Sequence, residues 1–72
     1  MKITDLNIGT SAWISKVNGN RDLCIHLMEL GIVSGTLIKI IRKTDYLITI
    51  RYRNIDMVLT CDIGDKIDCS CR

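Results

Sequence analysis

Four cysteine thiols, Cys24, Cys61, Cys69 and Cys71, are the most reactive side chains of this 72-residue sequence. Cys69 and Cys71 are two residues apart, so a strand would place both sulfurs on one face, and Cys61 could lie near them. Three thiolates can hold a soft divalent ion such as iron(II) or zinc. A structural zinc site normally takes four ligands, however, and the sequence has no Cys-x-x-Cys pair. We therefore expect no metal cofactor, with Cys61, Cys69 and Cys71 as the alternative ligands for Fe²⁺ or Zn²⁺.

Without a metal, Cys24 and Cys61 are expected to be small buried residues, and the C-terminal cysteine pair to be exposed. Catalysis has little support from the sequence. His26 is the single histidine and the one candidate for a base at neutral pH, and a helix would place Cys24 about 200° around the axis from it. The sequence also contains no P-loop and no nucleophile elbow. We expect the protein not to be an enzyme.

Length and composition indicate one domain over residues 1–72, with 47% apolar residues and no proline or phenylalanine. No apolar run approaches the roughly 20 residues that span a bilayer, and the opening residues lack the apolar stretch of a signal peptide. These features lead us to expect a cytoplasmic protein with reduced thiols.

Basic residues are concentrated in the middle of the sequence, although the formal net charge is only +2. Between residues 39 and 53, one acid, Asp45, accompanies five cations: Lys39, Arg42, Lys43, Arg51 and Arg53. Such a stripe is either a solvated sheet face or a surface that attracts phosphates or an acidic protein. Nucleic-acid binding is disfavoured because the sequence offers few stacking aromatics, namely Trp13, Tyr46 and Tyr52.

Periodicity and turn residues predict a small β-rich fold. We expect strands over about 10–17, 37–43, 47–53, 57–60 and 67–71, a helix over 21–30, a helical turn at 62–65, and a bulge near residues 15–16. Asn18 or Asn20 would cap the helix, and Gly31 would end it in a left-handed conformation. Asn54, Ile55 and Asp56 would form the reversal between the third and fourth strands.

This order predicts a mainly β fold with one or two short helices, a small SH3-like barrel with its helix after the first strand. Leu23, Leu27 and Leu30 share one helix face and should pack on the core. The three apolar residues of the N-terminal segment should cover the core as a short lid, and they are Ile3, Leu6 and Ile8.

The run from Asp22 to Thr36 and the strand after it resemble the ferrous iron transport protein A family, FeoA. The family signature is a leucine-rich helix followed by two spaced glycines and an alternating strand. Here it is occupied by Leu23, Leu27, Leu30, Gly31, Ile32, Gly35, Ile38 and Ile40. Ser34 stands where the family often has proline, and the C-terminal cysteines are not part of the pattern.

This resemblance implies an SH3-like fold and an accessory role beside FeoB, a membrane ferrous iron transporter with a cytosolic GTP-binding domain. FeoA-like proteins modulate that transporter, and the same module occurs fused to metal-dependent repressors. The resemblance therefore implies a protein that binds the cytosolic part of a FeoB-type transporter. A metal-binding sensor or delivery module that uses the C-terminal cysteines is the alternative.

Turns on a rigid scaffold commonly carry binding function, which points to the helix end and the turn after it, residues 28–35. We expect Met28, Gly31 and Gly35 to contribute to the partner surface, with Arg51 and Arg53 steering an acidic partner. The alternative for Met28 and the two glycines is core packing and turn geometry.

Overall fold

The computed structural model describes residues 1–71 and contains five strands and two helices, preceded by a short 3₁₀ turn at Ile3–Asp5. The elements are β1 (Ser11–Val17), α1 (Arg21–Glu29), β2 (Leu37–Lys43), β3 (Leu47–Tyr52), β4 (Ile55–Thr60), α2 (Cys61–Gly64) and β5 (Ile67–Ser70). Neither helix, within the residues described, has the length and apolar character needed to cross a bilayer.

The five strands form one antiparallel sheet in the order β4-β3-β2-β1-β5. Helix α1 connects β1 to β2, and α2 connects β4 to β5. The ladder shifts register between Ile14 and Lys16 in β1 and between Ile40 and Arg42 in β2. Such bulges bend strands and let a short sheet curl around a core. The fold is the expected mainly β, SH3-like barrel, and the predicted bulge in β1 is confirmed.

Isoleucine is the main residue of the buried core. The largest fully buried side chains are Ile3, Ile14, Leu27, Ile32, Ile38, Ile40, Ile48, Ile50 and Ile67. The alternation of buried and exposed side chains along β3 confirms the predicted common face of Ile48, Ile50 and Tyr52. Burial of this apolar surface is the main favourable contribution to folding.

Helix α1 begins and ends as its sequence predicts. The Asn20 side chain accepts a hydrogen bond of 2.8 Å from the Leu23 N–H, and Gly31 follows the helix with a φ of +91°. Leu27 is buried and Leu23 is partly buried, but Leu30 is 38% exposed. The prediction of a three-leucine core stripe is therefore wrong for Leu30, because this residue is the C-cap, just beyond the last helical turn.

The N-terminal segment covers the core with two residues rather than three. Ile3 and Leu6 are buried, whereas Ile8 is 61% exposed. Ile8 directly precedes Gly9, whose N–H donates to the Ile40 carbonyl at 2.7 Å and so extends the pairing of β1 with β2 toward the N-terminus. The predicted lid is thus wrong for Ile8.

The connection between β3 and β4 is tighter than the sequence suggested. Arg53 and Asn54 form the turn with φ values of +52° and +64°, and Tyr52 pairs with Ile55 across it. Positive φ at both central residues is the signature of a type I′ hairpin, whose twist matches that of the strands. β3 therefore ends at Tyr52, and β4 begins at Ile55 instead of Met57.

The N-terminal segment packs closely on α2 at Gly64. A Cβ added there would lie 2.8 Å from Thr4 Cγ2 and 3.4 Å from Ile48 Cγ2. Thr4 cannot rotate away freely because its hydroxyl donates to the Asp65 carboxylate. We expect Gly64→Ala to lower the free energy of unfolding by about 1–2 kcal/mol, from overpacking.

Urea denaturation measures this change. Asp62→Ala, at an exposed position of the same short helix, is the control and should stay within about 0.5 kcal/mol of the wild type. Equal stability of Gly64→Ala and the wild type would contradict the close packing.

Candidate functional site

The C-terminal end of α1 lies against the β3-β4 turn. The hydroxyl of Tyr52, the last residue of β3, donates a hydrogen bond of 2.6 Å to the carbonyl oxygen of Leu30. Tyr52 is only 3% exposed, so this bond is shielded from water. The bond satisfies one of the carbonyls that the end of a helix leaves without an intrahelical partner. Helix and hairpin are therefore held together at this point.

Gly31 allows the close approach of these two segments. It adopts the left-handed conformation that favours glycine, and a Cβ added there would lie 3.5 Å from Tyr52 Cε2 and 3.7 Å from Arg53 Nη1. The Arg53 guanidinium thus sits beside the C-terminal end of α1. This end carries partial negative charge, which favours a cation.

Two apolar side chains are exposed at the same end of α1. Met28 is 57% exposed and Leu30 is 38% exposed. The Met28 carbonyl accepts a hydrogen bond of 3.0 Å from the Gly31 N–H, so Met28 belongs to the same helix end. We call Met28, Leu30, Gly31 and Arg53 the helix-end surface. Core packing does not explain Met28, since most of its side chain faces outward.

Two other residues that the sequence predicted for the partner surface, Arg51 and Gly35, lie outside the helix-end surface. Arg51 is on the outer face of β3, where its Nε is 2.6 Å from Asp56 Oδ1 and its Nη2 is 3.1 Å from Asp56 Oδ2. This pairing lowers the pKa of Asp56, chiefly through the hydrogen bond from Arg51, and raises the pKa of Arg51 for the same reason. Gly35 has a φ of +92° and donates its N–H to the Ile14 carbonyl, so turn geometry accounts for it.

Other basic and aromatic residues are dispersed. The Lys43 ammonium donates a hydrogen bond of 3.0 Å to the Leu6 carbonyl. This cation of the basic stripe therefore has a partner within the fold. Tyr46 is 81% exposed beside β3 at the end opposite to Arg53, Tyr52 is buried, and Trp13 lies on β1 opposite Leu37. The three aromatic side chains do not form one stacking platform.

The cysteines do not gather into a metal site. Cys69 is buried with Ile67 on the inner face of β5, while Cys71 lies beyond that strand and is exposed, with Sγ 3.9 Å from Met1 Sδ. The Sγ of Cys61 donates to the Thr44 carbonyl. Within residues 1–71, no three His, Cys, Asp or Glu side chains are arranged to hold a metal ion.

This placement corrects two expectations about the thiols. The C-terminal pair is not uniformly exposed, because Cys69 continues the inward alternation of β5. Cys24 and Cys61 are half-buried rather than fully buried. Burial raises the pKa of the Cys69 thiol, and the neighbouring Cys71 raises it further.

A shallow cleft of about 230 Å³ lies at the opposite end of β3 from the helix-end surface, and it was not expected from the sequence. Its walls combine the β2-β3 connection with the start of α2, and they are Asp45, Tyr46, Thr60, Cys61 and Asp62. No sequence pattern marks it, because its residues come from two segments that meet only in the folded chain.

Two features of the helix end were not predicted from the sequence. They are the exposure of Leu30 and the hydrogen bond by which Tyr52 holds the end of α1. The role of Tyr52 was predictable, because it alternates with Ile48 and Ile50 on the buried face of β3. A buried tyrosine hydroxyl needs a hydrogen-bond partner. Leu30 directly precedes Gly31, which marked it as a cap residue.

Strand order, the helix after the first strand and the curled sheet define the class of the protein as a small SH3-like barrel domain. The FeoA domain matches residues 1–70, and the chain belongs to the FeoA domain family. A search of curated proteins gave no match.

Solved structures share the fold. The FeoA protein from Chlorobium tepidum is 22% identical, with a TM-score of 0.90 over 99% of this chain and 70% of its own. Iron(II) transport protein A from Clostridium thermocellum is 25% identical, with a TM-score of 0.90 over 99% of this chain. This chain spans only 45% of that protein.

A third similar structure is the FeoA of Stenotrophomonas maltophilia, solved in complex with zinc and described as a prokaryotic SH3 domain protein. It is 20% identical, with a TM-score of 0.85 over 97% of this chain and 89% of its own.

Thiol reactivity tests the placement of the cysteines. Alkylation with iodoacetamide near neutral pH should modify Cys71 first and Cys69 last, because Cys69 is buried and its pKa is raised. Mass spectrometry of digested samples over time measures the order. All four thiols should react together in urea, which is the control, and early modification of Cys69 in the folded protein would contradict the structure.

Proposed function

We propose that this protein is a cytoplasmic accessory protein of ferrous iron uptake that binds the cytosolic part of a FeoB-type membrane transporter and modulates its activity. Two facts support the association with iron transport. The chain belongs to the FeoA domain family over residues 1–70, and a structure of very similar fold is named as an iron(II) transport protein.

The observation that carries the proposal is the conformation of Arg53. This residue has a φ of +52° at the tip of an exposed turn, where glycine, asparagine or aspartate is preferred. An L-residue other than these costs roughly 1–2 kcal/mol in the left-handed region. Strained residues concentrate at sites where function requires the side chain, and here the strained turn places a guanidinium beside Gly31, at the end of α1.

The charge on Arg53 is available to a partner. Within the part of the chain that the structure describes, Arg53 forms no salt bridge, whereas Arg51, two residues before it, is paired with Asp56. A partner carboxylate could therefore form a bidentate pair with Arg53, and long-range attraction would favour association with an acidic surface.

The second component of the helix-end surface is the exposed apolar area of Met28 and Leu30. Protein interfaces are enriched in methionine and arginine, and a few such residues supply most of the binding energy. Rigid attachment of the helix end through Tyr52 keeps the loss of conformational entropy on binding small. This surface requires no resident metal ion, and in the proposed role iron is the ion carried by the transporter.

Substitutions that preserve side-chain size test the surface. We expect Met28→Gln and Arg53→Gln each to weaken binding to the full-length transporter by about tenfold, since each removes one central contact. Tyr46→Gln is the matched control, because Tyr46 is exposed at the opposite end of β3 and should leave affinity unchanged. Isothermal titration with detergent-solubilised transporter measures the dissociation constants.

Two outcomes would contradict different parts of this proposal. Equal binding of wild type, Met28→Gln and Arg53→Gln would show that the transporter binds another surface. Absence of binding by the wild type, together with unchanged iron transport in its absence, would exclude the accessory role itself.

Arg53→Gly separates stability from binding. Removing Cβ relieves the left-handed strain, which outweighs the entropy cost of glycine, so the free energy of unfolding should rise by about 0.5–1 kcal/mol. Binding to the transporter should weaken as in Arg53→Gln. Urea denaturation and titration measure the two effects.

The control for this experiment is Arg53→Gln, which retains Cβ and should show no gain in stability. A glycine variant no more stable than the wild type would show that the turn conformation is not strained.

A further inference from the structure

The two edges of the sheet differ. At β5, the N-terminal segment covers the edge, with the Cys69 N–H donating to the Met1 carbonyl at 2.7 Å and Lys2 forming a bridge with Asp68. At β4, the backbone pairs only with β3 among the residues that the structure describes. A six-residue edge therefore remains open.

The hairpin turn determines which backbone groups face this open edge. In a two-residue hairpin the closing pair, here Tyr52 and Ile55, exchanges both backbone hydrogen bonds. Bonded and non-bonded pairs then alternate, so Ile55, Met57 and Leu59 bond to β3. The N–H and C=O groups that point outward are those of Asp56, Val58 and Thr60.

The open strand has few of the usual protections of an edge. Proteins block edge strands with lysine, proline, bulges or covering segments. β4 contains no lysine or proline, its register with β3 is continuous, and Val58 is 59% exposed on the outer face. Asp56 is the single charged residue of the strand, and its carboxylate is already bound by Arg51.

We propose that β4 pairs with β4 of a second copy of this chain, antiparallel about a two-fold axis that passes through Val58. In this register Val58 faces Val58 of the other copy, and Asp56 faces its Thr60. These are the residues whose outward backbone groups can bond to one another. The same patch serves both copies, which gives a closed dimer.

Charge and shape favour a second copy over an unrelated extended peptide. No like charges oppose each other in this register, because Asp56 meets the uncharged Thr60 and is neutralised by Arg51. The two Val58 side chains cover each other, which removes exposed apolar surface from water. The neutral edge offers no charge with which to select an acidic or basic peptide.

Val58→Pro tests the pairing selectively. Proline removes an N–H that points to the open edge and leaves the bonds of β4 to β3 intact, as expected for proline on an edge strand. Val58→Thr keeps the N–H and the β-branched shape and is the matched control. Sedimentation equilibrium from micromolar to millimolar concentration should show a wild-type dimer, similar association for Val58→Thr, and association weakened by about tenfold or more for Val58→Pro.

A second variant and a second measurement keep the test valid if proline impairs folding, as judged by circular dichroism. Val58→Lys places like charges against each other across the two-fold axis and should also weaken the dimer. In the wild type, the amide protons of Asp56, Val58 and Thr60 should gain protection from hydrogen exchange as the concentration rises.

Three results would overturn the proposal: a wild type that stays monomeric at millimolar concentration, a dimer that persists unchanged in folded Val58→Pro and Val58→Lys, or edge amides protected only after transporter is added. The last result would assign the edge to a partner peptide. The first two results are obtained without transporter and do not involve the helix-end surface, so they test the dimer independently of the proposed function.

Discussion

One hydrogen bond, from the Tyr52 hydroxyl to the Leu30 carbonyl, fixes the end of the helix onto the end of the central hairpin. Without it, a buried hydroxyl and a helix-terminal carbonyl would both need water in a place that the isoleucine core leaves dry. Tyr52 is also the last residue before the turn, so the bond sets where the turn leaves the sheet. Gly31 and Arg53 meet because of this attachment.

Much of the fold is predictable from local sequence because local physics decides it. Asn20 and Gly31 define the ends of α1 through capping and left-handed geometry, and alternation along β3 defines the inner face. The errors arise at element ends, where periodicity gives no guidance. Leu30 and Ile8 are apolar residues at the spacing expected of core residues, yet both are exposed. Leu30 is the cap that follows α1, and Ile8 directly precedes Gly9.

The candidate surface was harder to predict because it depends on pairing between distant segments. Arg51 and Arg53 are equivalent in the sequence, both on the outer face of a predicted strand. In the structure, Asp56 neutralises Arg51 because β4 pairs with β3 directly opposite it, whereas Arg53 falls in the turn. Likewise, Cys69 is turned inward by the register of β5 with β1, which no spacing rule between cysteines reveals.

The isoleucine core has a consequence for how signals could pass through this domain. Isoleucine has few accessible side-chain rotamers, and a densely packed interior resists small rearrangements. Eight of the nine largest fully buried side chains are of this type, so the barrel has little capacity to repack between two states. Bistable elements are what transmit conformational change. In the proposed accessory role, the domain is therefore suited to act as a rigid brace, with conformational switching carried by its partner.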